Sequence, residues 1–283
     1  MGILSIQSLV AYGHAGNSAA VFPLQRLGRV VWPVMTVHFS NHTGYGAWRG
    51  PLVAADDVAE VIAGVEDRGA FETCEAVLSG YQGAEDVGAV VLDAVARVKA
   101  LNPRAIYCCD PVMGDVGRGM FVRPGIPEFM RDRVVPAADV VTPNHFELDF
   151  LAGTTSTTLP GLLAAADRVR ATGPSVVLVT SALLDDTPHD ALDLVVVSAD
   201  GAWRTRTPRL PLTPNGTGDL TAAVFLAHLL DGRALDDALA RTTSAVFAVV
   251  EATAAAGDRE LRIVQTQELL AEPRMEFEAL RVR

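Results

Sequence analysis

Two periodicities alternate along this chain, and that alternation constrains its fold more than any other feature. Short apolar runs rich in β-branched residues recur at 2–6, 30–39, 76–79, 105–109, 139–142, 176–180 and 194–198, the pattern of strands. Stretches with helical spacing lie between most of them, at about 15–27, 55–68, 84–100, 125–132, 145–152 and 160–171, and the last third adds 217–230 and 234–253. Strands joined by helices of this length imply an α/β fold: a central, mainly parallel sheet covered by helices on both faces.

With 283 residues and 49% hydrophobic content the chain can bury a full core as one domain, residues 1–283. No linker, charge block or repeat divides it. The segment 183–190 predicts a hairpin or exposed loop, and the tail after Pro273 a surface segment. A net charge of −11 argues against nucleic acid and anionic membrane as partners, since both require a basic face. Cys74, Cys108 and Cys109 form no CxxC pair, and adjacent cysteines in a strand point to opposite faces. No basic-then-apolar leader opens the sequence, and no run of 18 apolar residues interrupts it, so a cytoplasmic protein is expected.

In open α/β sheets ligands bind beyond the C-terminal ends of the strands. The unusual residues collect there: Ser8 after the first strand, 40–46 after the second, Gly80 and Tyr81 after the third, 110–115 after the fourth. Thr142-Pro143-Asn144 and Thr180-Ser181 follow later strands.

The sharpest local signal is Asn215-Gly216-Thr217-Gly218-Asp219, immediately before a helical run. Gly216 and Gly218 let backbone approach an anion, and Thr217 lies in a first turn whose N–H groups lack helical partners. These donors suit a transferring phosphoryl group, with Asp219 accepting the proton of an attacking hydroxyl. A helix N-terminus lowers a carboxylate's pKa, so Asp219 is expected to act mainly by positioning. An ordinary Gly-rich turn with an Asp cap would read the same way. Neither GxxxxGK[ST] nor a strand-to-helix GxGxxG occurs, while 114–119 has the composition of a mobile lid.

Asp110, Asp115 and Glu147 follow two strands and suit Mg²⁺, a hard ion that takes one or two carboxylates plus nucleotide oxygens and water. Taken singly they also read as a turn residue, a loop acid and a first-turn helix acid. His42, Thr43 and Tyr45 make a loop too polar and aromatic for a plain connector. Phe39 can stack on a flat ring or simply end a strand in the core. Tyr12, His14, Trp32 and Trp48 read as structural or surface residues.

In order along the chain, Ile6-Gln7-Ser8, Gly13-His14-Ala15-Gly16-Asn17-Ser18-Ala19-Ala20, Phe39-Ser40-Asn41-His42-Thr43-Gly44-Tyr45, Leu78-Ser79-Gly80-Tyr81, Asp110-Pro111-Val112-Met113-Gly114-Asp115, Thr142-Pro143-Asn144 and Gly216-Thr217-Gly218-Asp219 resemble the pyridoxal kinases of the ribokinase-like superfamily. The resemblance implies transfer of the ATP γ-phosphoryl group to the 5′-hydroxymethyl of pyridoxal, and also of pyridoxine or pyridoxamine. It implies a Mg²⁺-dependent reaction helped by K⁺, in a homodimer. Ser8, Thr43 and Gly44 would contact the pyridine, Phe39, His42 and Tyr81 would line its pocket, and Asp219 would be the base. Gly216, Thr217 and Gly218 would form the anion hole. Asp110, Thr142, Asn144, Glu147, Thr180, Ser181 and the stretch Thr207, Pro208, Arg209, Leu210 would serve ATP, with Asp110, Asp115 and Glu147 toward the metal. The chain departs from the pattern three times: the segment between Trp203 and Gly216 aligns poorly, the lid carries no cysteine, and Thr180-Ser181 stands where some relatives have a lysine, leaving Arg118 or Arg209 as sources of positive charge. A hydroxymethylpyrimidine kinase shares the DPVMGD and GTGD strings, and a non-catalytic carrier of pyridoxal phosphate is the reading from a different class.

Overall fold

The computed structural model describes residues 1–212 and 214–283. Its strands are β1 (Gly2–Tyr12), β2 (Val30–Asn41), β3 (Cys74–Ser79), β4 (Ile106–Cys109), the short β5 (Gly114–Asp115) and β6 (Gly119–Met120), β7 (Val140–Val141), β8 (Val176–Ala182), β9 (Ala191–Val197), β10 (Ala202–Pro208) and β11 (Leu280–Arg281). The helices are α1 (Asn17–Arg26), α2 (Ala55–Glu66), α3 (Glu85–Leu101), α4 (Ile126–Phe129), α5 (Val135–Ala137), α6 (His145–Ala152), α7 (Leu159–Arg170), α8 (Thr217–Leu230), α9 (Leu235–Ala256) and α10 (Gln267–Ala271).

Among the described residues, nine strands form one sheet in the order β11-β10-β9-β8-β7-β4-β3-β1-β2. From β2 to β8 each neighbouring pair is parallel, and β9, β10 and β11 then add antiparallel. Side-chain alternation divides the core as a period of two requires. Leu4, Ile6, Val77, Cys109, Val141, Val177 and Val179 join α2, α3, α6 and α7 on one face. Ile3, Ala76, Leu78, Cys108, Val140, Leu178 and Val196 join α1, α8 and α9 on the other. The adjacent cysteines therefore do face opposite layers, and all three are free and buried. Helix α8 is buried from Leu220 through His228 because α1 and α9 flank it beneath the sheet.

Three sequence expectations are corrected. β1 continues to Tyr12, so Ser8 lies inside the strand, where the register with β2 shifts between Gln7 and Leu9. β8 continues to Ala182, so Thr180 and Ser181 lie at an irregularity within it, not beyond its end. β10, with the sequence AWRTRTP, lacks an apolar run yet pairs along its length with β9. The tail after Pro273 is a surface segment, as expected, and within it the exposed β11 pairs with Trp203 and Arg204. The 183–190 segment does join an antiparallel pair, as its turn residues predict.

Candidate active site

The start of α8 lies against the loop after β1. Gly216, the N-cap, has φ 85°, and a Cβ there would stand 2.0 Å from the His14 carbonyl oxygen. Only glycine combines that backbone conformation with that approach. The Thr217 hydroxyl donates to Pro214 O at 3.0 Å, and the first intrahelical bond runs from Leu220 N to Gly216 O at 2.9 Å. The N–H groups of Thr217, Gly218 and Asp219 thus precede the helical ladder.

Gly16 joins this end to the bulge in β1. A Cβ on Gly16 would meet Ser8 O at 2.2 Å and Ser8 Oγ at 2.3 Å, and the Gly16 N–H hydrogen-bonds the Asp219 carboxylate. Ser8 and Asp219 are consequently separated by one glycine backbone. Beneath them a buried polar set fixes the strand: Asn17 Nδ2 donates to Gln7 O (3.3 Å) and Val34 O (2.9 Å), and the Ser5 hydroxyl donates to Asn17 Oδ1 at 2.8 Å.

Asp219 differs electrostatically from the sequence expectation. The N–H groups of Gly16 and Asp219 itself do lower its pKa, but loss of solvent outweighs them and pushes it up to about 6. It is a stronger base than a free helix-terminal carboxylate.

Asp110 follows β4, accepts the Thr142 hydroxyl on Oδ1 at 3.1 Å, and has Oδ2 3.8 Å from where a Cβ of Gly218 would be. Burial, then the charges of Asp219 and Glu147, raise its pKa well above the usual carboxylate range. Glu147 completes a capping box: Oε2 accepts Asn144 N (2.9 Å), while Asn144 Oδ1 accepts Glu147 N (2.9 Å). Its Oε1 accepts Met113 N at 2.8 Å and Gly114 N at 3.3 Å, tying α6 to the lid. Burial nonetheless pushes Glu147 up to about 7. Asp115 caps its own turn through Val116 N at 2.7 Å.

Beside the end of β2, Phe39 and Tyr81 pack in one small cluster with Val10, Ala15 and Val37. His42 Nδ1 accepts Gly44 N at 3.0 Å, so the neutral ring carries its proton on Nε2. Thr43 and Gly44 are exposed beside Asn215, whose Oδ1 is 3.2 Å from a Cβ position on Gly44.

The structure therefore gathers Ser8, Gly44, Asp110, Thr142, Glu147 and the 216–219 turn at one sheet edge. Thr180 reaches the same edge through Asn144, with Thr180 N donating to Pro143 O at 2.9 Å. Thr207 and Pro208 instead sit in β10 opposite Leu192 and Ala191, and Arg209 is exposed with its N–H on Asp190 O at 2.7 Å, so 207–210 form a flank. The three metal candidates are also spread out: among the described residues, no group of three His, Cys, Asp or Glu is placed to hold one ion directly.

Sequence reasoning missed a clasp from the loop after α9. Glu260 accepts His14 N (2.9 Å) and the Tyr45 hydroxyl (2.5 Å), pushing Tyr45 up to about 12. Arg259 stacks on the Tyr45 ring at 3.9 Å and donates to Gly44 O at 3.0 Å. No local pattern marks these residues, because their partners lie more than 200 positions away.

The arrangement sets a glycine-capped helix start beside a carboxylate whose pKa burial raises, and the chain that carries it is similar to known proteins. A family model described as phosphomethylpyrimidine kinase matches residues 72–263. The pyridoxal kinase PdxY of Rubrobacter xylanophilus is 59% identical, over 100% of this chain and 98% of that protein. That of Leifsonia xyli is 56% identical over 100% of both. The solved pyridoxal kinase of Leishmania donovani, in complex with ADP and pyridoxamine, superposes with a TM-score of 0.92 at 28% identity, covering 100% of this chain and 99% of that one. Full-length identity at this level, together with the matched fold, means that this chain belongs to the pyridoxal kinase family, with the ribokinase-like fold.

Proposed function

We propose that the chain phosphorylates pyridoxal with ATP, forming pyridoxal 5′-phosphate in a salvage role. The observation that carries this reading is the Ser8–Gly16–Asp219 contact, which sets a base of raised pKa beside unladdered N–H donors. The 5′-hydroxyl oxygen attacks Pγ, the bond from Pγ to the β,γ-bridging oxygen breaks, and ADP leaves. The hydroxyl proton passes to the Asp219 carboxylate. The N–H groups of Gly216, Thr217 and Gly218 take the charge spread over the transferring group.

Asp110 feels the charges of Asp219 and Glu147, and among the described residues no lysine or arginine pairs with any of the three, which suits a divalent cation held largely through nucleotide oxygens and water. Mg²⁺ would supply neutralisation of the triphosphate, held by Asp110 with nucleotide oxygens and water, and by Glu147 through water. Asp115, engaged in its own turn, would contribute through water alone. Ser8, Thr43 and Gly44 would hold the pyridine, with Phe39, His42 and Tyr81 around it. Thr142, Asn144, Thr180, Ser181 and the 207–210 flank would serve ATP. K⁺ enters from the family resemblance alone, and turnover in potassium against choline chloride tests it.

The chain acts as a single domain, supported by one sheet running from β2 to β11, and as a homodimer, which light scattering will test. Three buried free thiols support a reducing, cytoplasmic setting, and no helix among the described residues is long and apolar enough to cross a membrane.

The deciding experiment is product identification by mass spectrometry after incubation with Mg-ATP and a vitamin panel. Pyridoxal 5′-phosphate is the expected product. The family model's description favours one second reading, a hydroxymethylpyrimidine kinase; faster turnover of that pyrimidine alcohol than of pyridoxal would establish it instead.

A further inference from the structure

Lys99 is the only lysine in the chain, and its ammonium is committed to Asp139, which precedes β7, at 2.7 Å. Apart from histidine, any side-chain cation that meets a phosphate must therefore be an arginine.

A cavity of about 320 Å³ opens beside the start of α8, lined by Arg118, Leu212, Pro214, Asn215, Asp258 and Arg259 among others. Ser8 and Asp219 do not line it. It adjoins them through Asn215, which precedes Gly216 and touches the Gly44 position. Asp258 is engaged by Arg262 Nη1 at 2.6 Å, so the uncompensated charge of the cavity wall is positive. Arg259 is fixed there by the Tyr45 ring and the Gly44 carbonyl, which uses one of its five N–H donors. Arg118 reaches the same cavity from a different element, the β5–β6 turn, and is exposed. Its charge reaches the substrate loop, where burial first and Arg118 second lower the His42 pKa. Arg209, the other arginine offered by the sequence, lies outside this cavity.

We infer that Arg118 and Arg259 form a two-sided cationic clamp for the phosphate monoester made at the α8 start, one arm on the lid and one on the α9–α10 loop. The inference rests on the kinase reading and adds the residues that take the place of the missing lysine. Guanidinium groups suit this task because their planar N–H pairs match phosphate oxygens. A lid arginine also couples closure to the presence of the phosphoryl group, since an open β5–β6 turn leaves that charge in solvent.

The test compares binding of pyridoxine and pyridoxine 5′-phosphate by calorimetry. Both lack an aldehyde and cannot condense with Lys99. In Arg118→Ala and Arg259→Ala the Kd for the phosphate ester is expected to rise about tenfold while that for the alcohol stays within about twofold. Arg118→Lys should recover most of the loss. Arg118 is exposed, so its alanine variant keeps the test valid even where Arg259→Ala disturbs Tyr45. A differential of about threefold or more between the two ligands in either alanine variant supports the clamp, and a smaller one in both overturns it. Failure of the parent protein to phosphorylate pyridoxal is a separate result, which removes the kinase reading.

Discussion

Gly216 is packed so closely on His14 that a methyl group at its α-carbon would stand 2.0 Å from the His14 carbonyl oxygen. That contact locks the first strand's loop to the start of α8. In Gly216→Ala the clash and the positive φ together are expected to cost about 2 kcal/mol or more, read by urea denaturation. Turnover should fall by about a hundredfold or more, because the first-turn N–H groups shift from the transferring group.

Asp219→Asn retains shape and burial but removes the proton acceptor. The expected outcome is a kcat reduced by about a thousandfold with thermal stability intact. In the parent, kcat/KM for pyridoxal should rise with pH through about 6, where the free Asp219 carboxyl ionises. A profile flat from pH 5 to 8, with Asp219→Asn fully active, would exclude Asp219 as the base.

Asp110, Glu147 and Asp219 all ionise at higher pH in the folded chain than in the unfolded one. Their contribution to stability is fully present below the unfolded values near pH 4 and is lost as pH rises through about 6 for Asp219 and about 7 for Glu147. Asp110→Asn relieves the cluster without changing its shape. In Mg²⁺-free buffer its Tm should exceed the parent's at about pH 8 and match it at about pH 4.

Ser181 is the one non-glycine residue with positive φ among those described, at 52°, inside the β8 irregularity. Ser181→Gly should relieve that strain and raise the denaturation midpoint, by roughly 0.5–1 kcal/mol at unchanged m. A loss of stability would show that the serine side chain contributes more than the backbone strain costs.

Asp193 is fully buried in β9 and accepts Arg206 Nε at 2.6 Å and Nη2 at 2.8 Å, with the Thr187 hydroxyl at 2.7 Å. Asp193→Ala leaves Arg206, 34% exposed, with only the longer Asp186 contact at 3.8 Å, and should cost about 2 kcal/mol. The hairpin that carries 207–210 depends on this pair, so the KM for ATP should rise more than that for pyridoxal.

Apolar runs and helical spacing by themselves determined the parallel heart of this protein. Each of β1, β3, β4 and β8 buries both faces, so composition alone marks them, and a glycine-bounded turn before a continuous apolar helix marks the candidate anion site. The polar flank escaped that logic. β10 exists because β9 offers it hydrogen-bond partners, and β11 because β10 does, neither of which depends on local hydrophobicity. Strand ends escaped it too, since the bulges at Ser8 and Thr180 are set by register with neighbouring strands. Only the tertiary structure could raise the pKa of Asp219, because desolvation depends on what packs around it and outweighs the helix-terminal N–H groups that sequence position supplies. Glu260, Arg259 and the cavity facing Arg118 likewise arise where α9 ends beside the start of α8, a proximity fixed by helix packing and invisible along the chain.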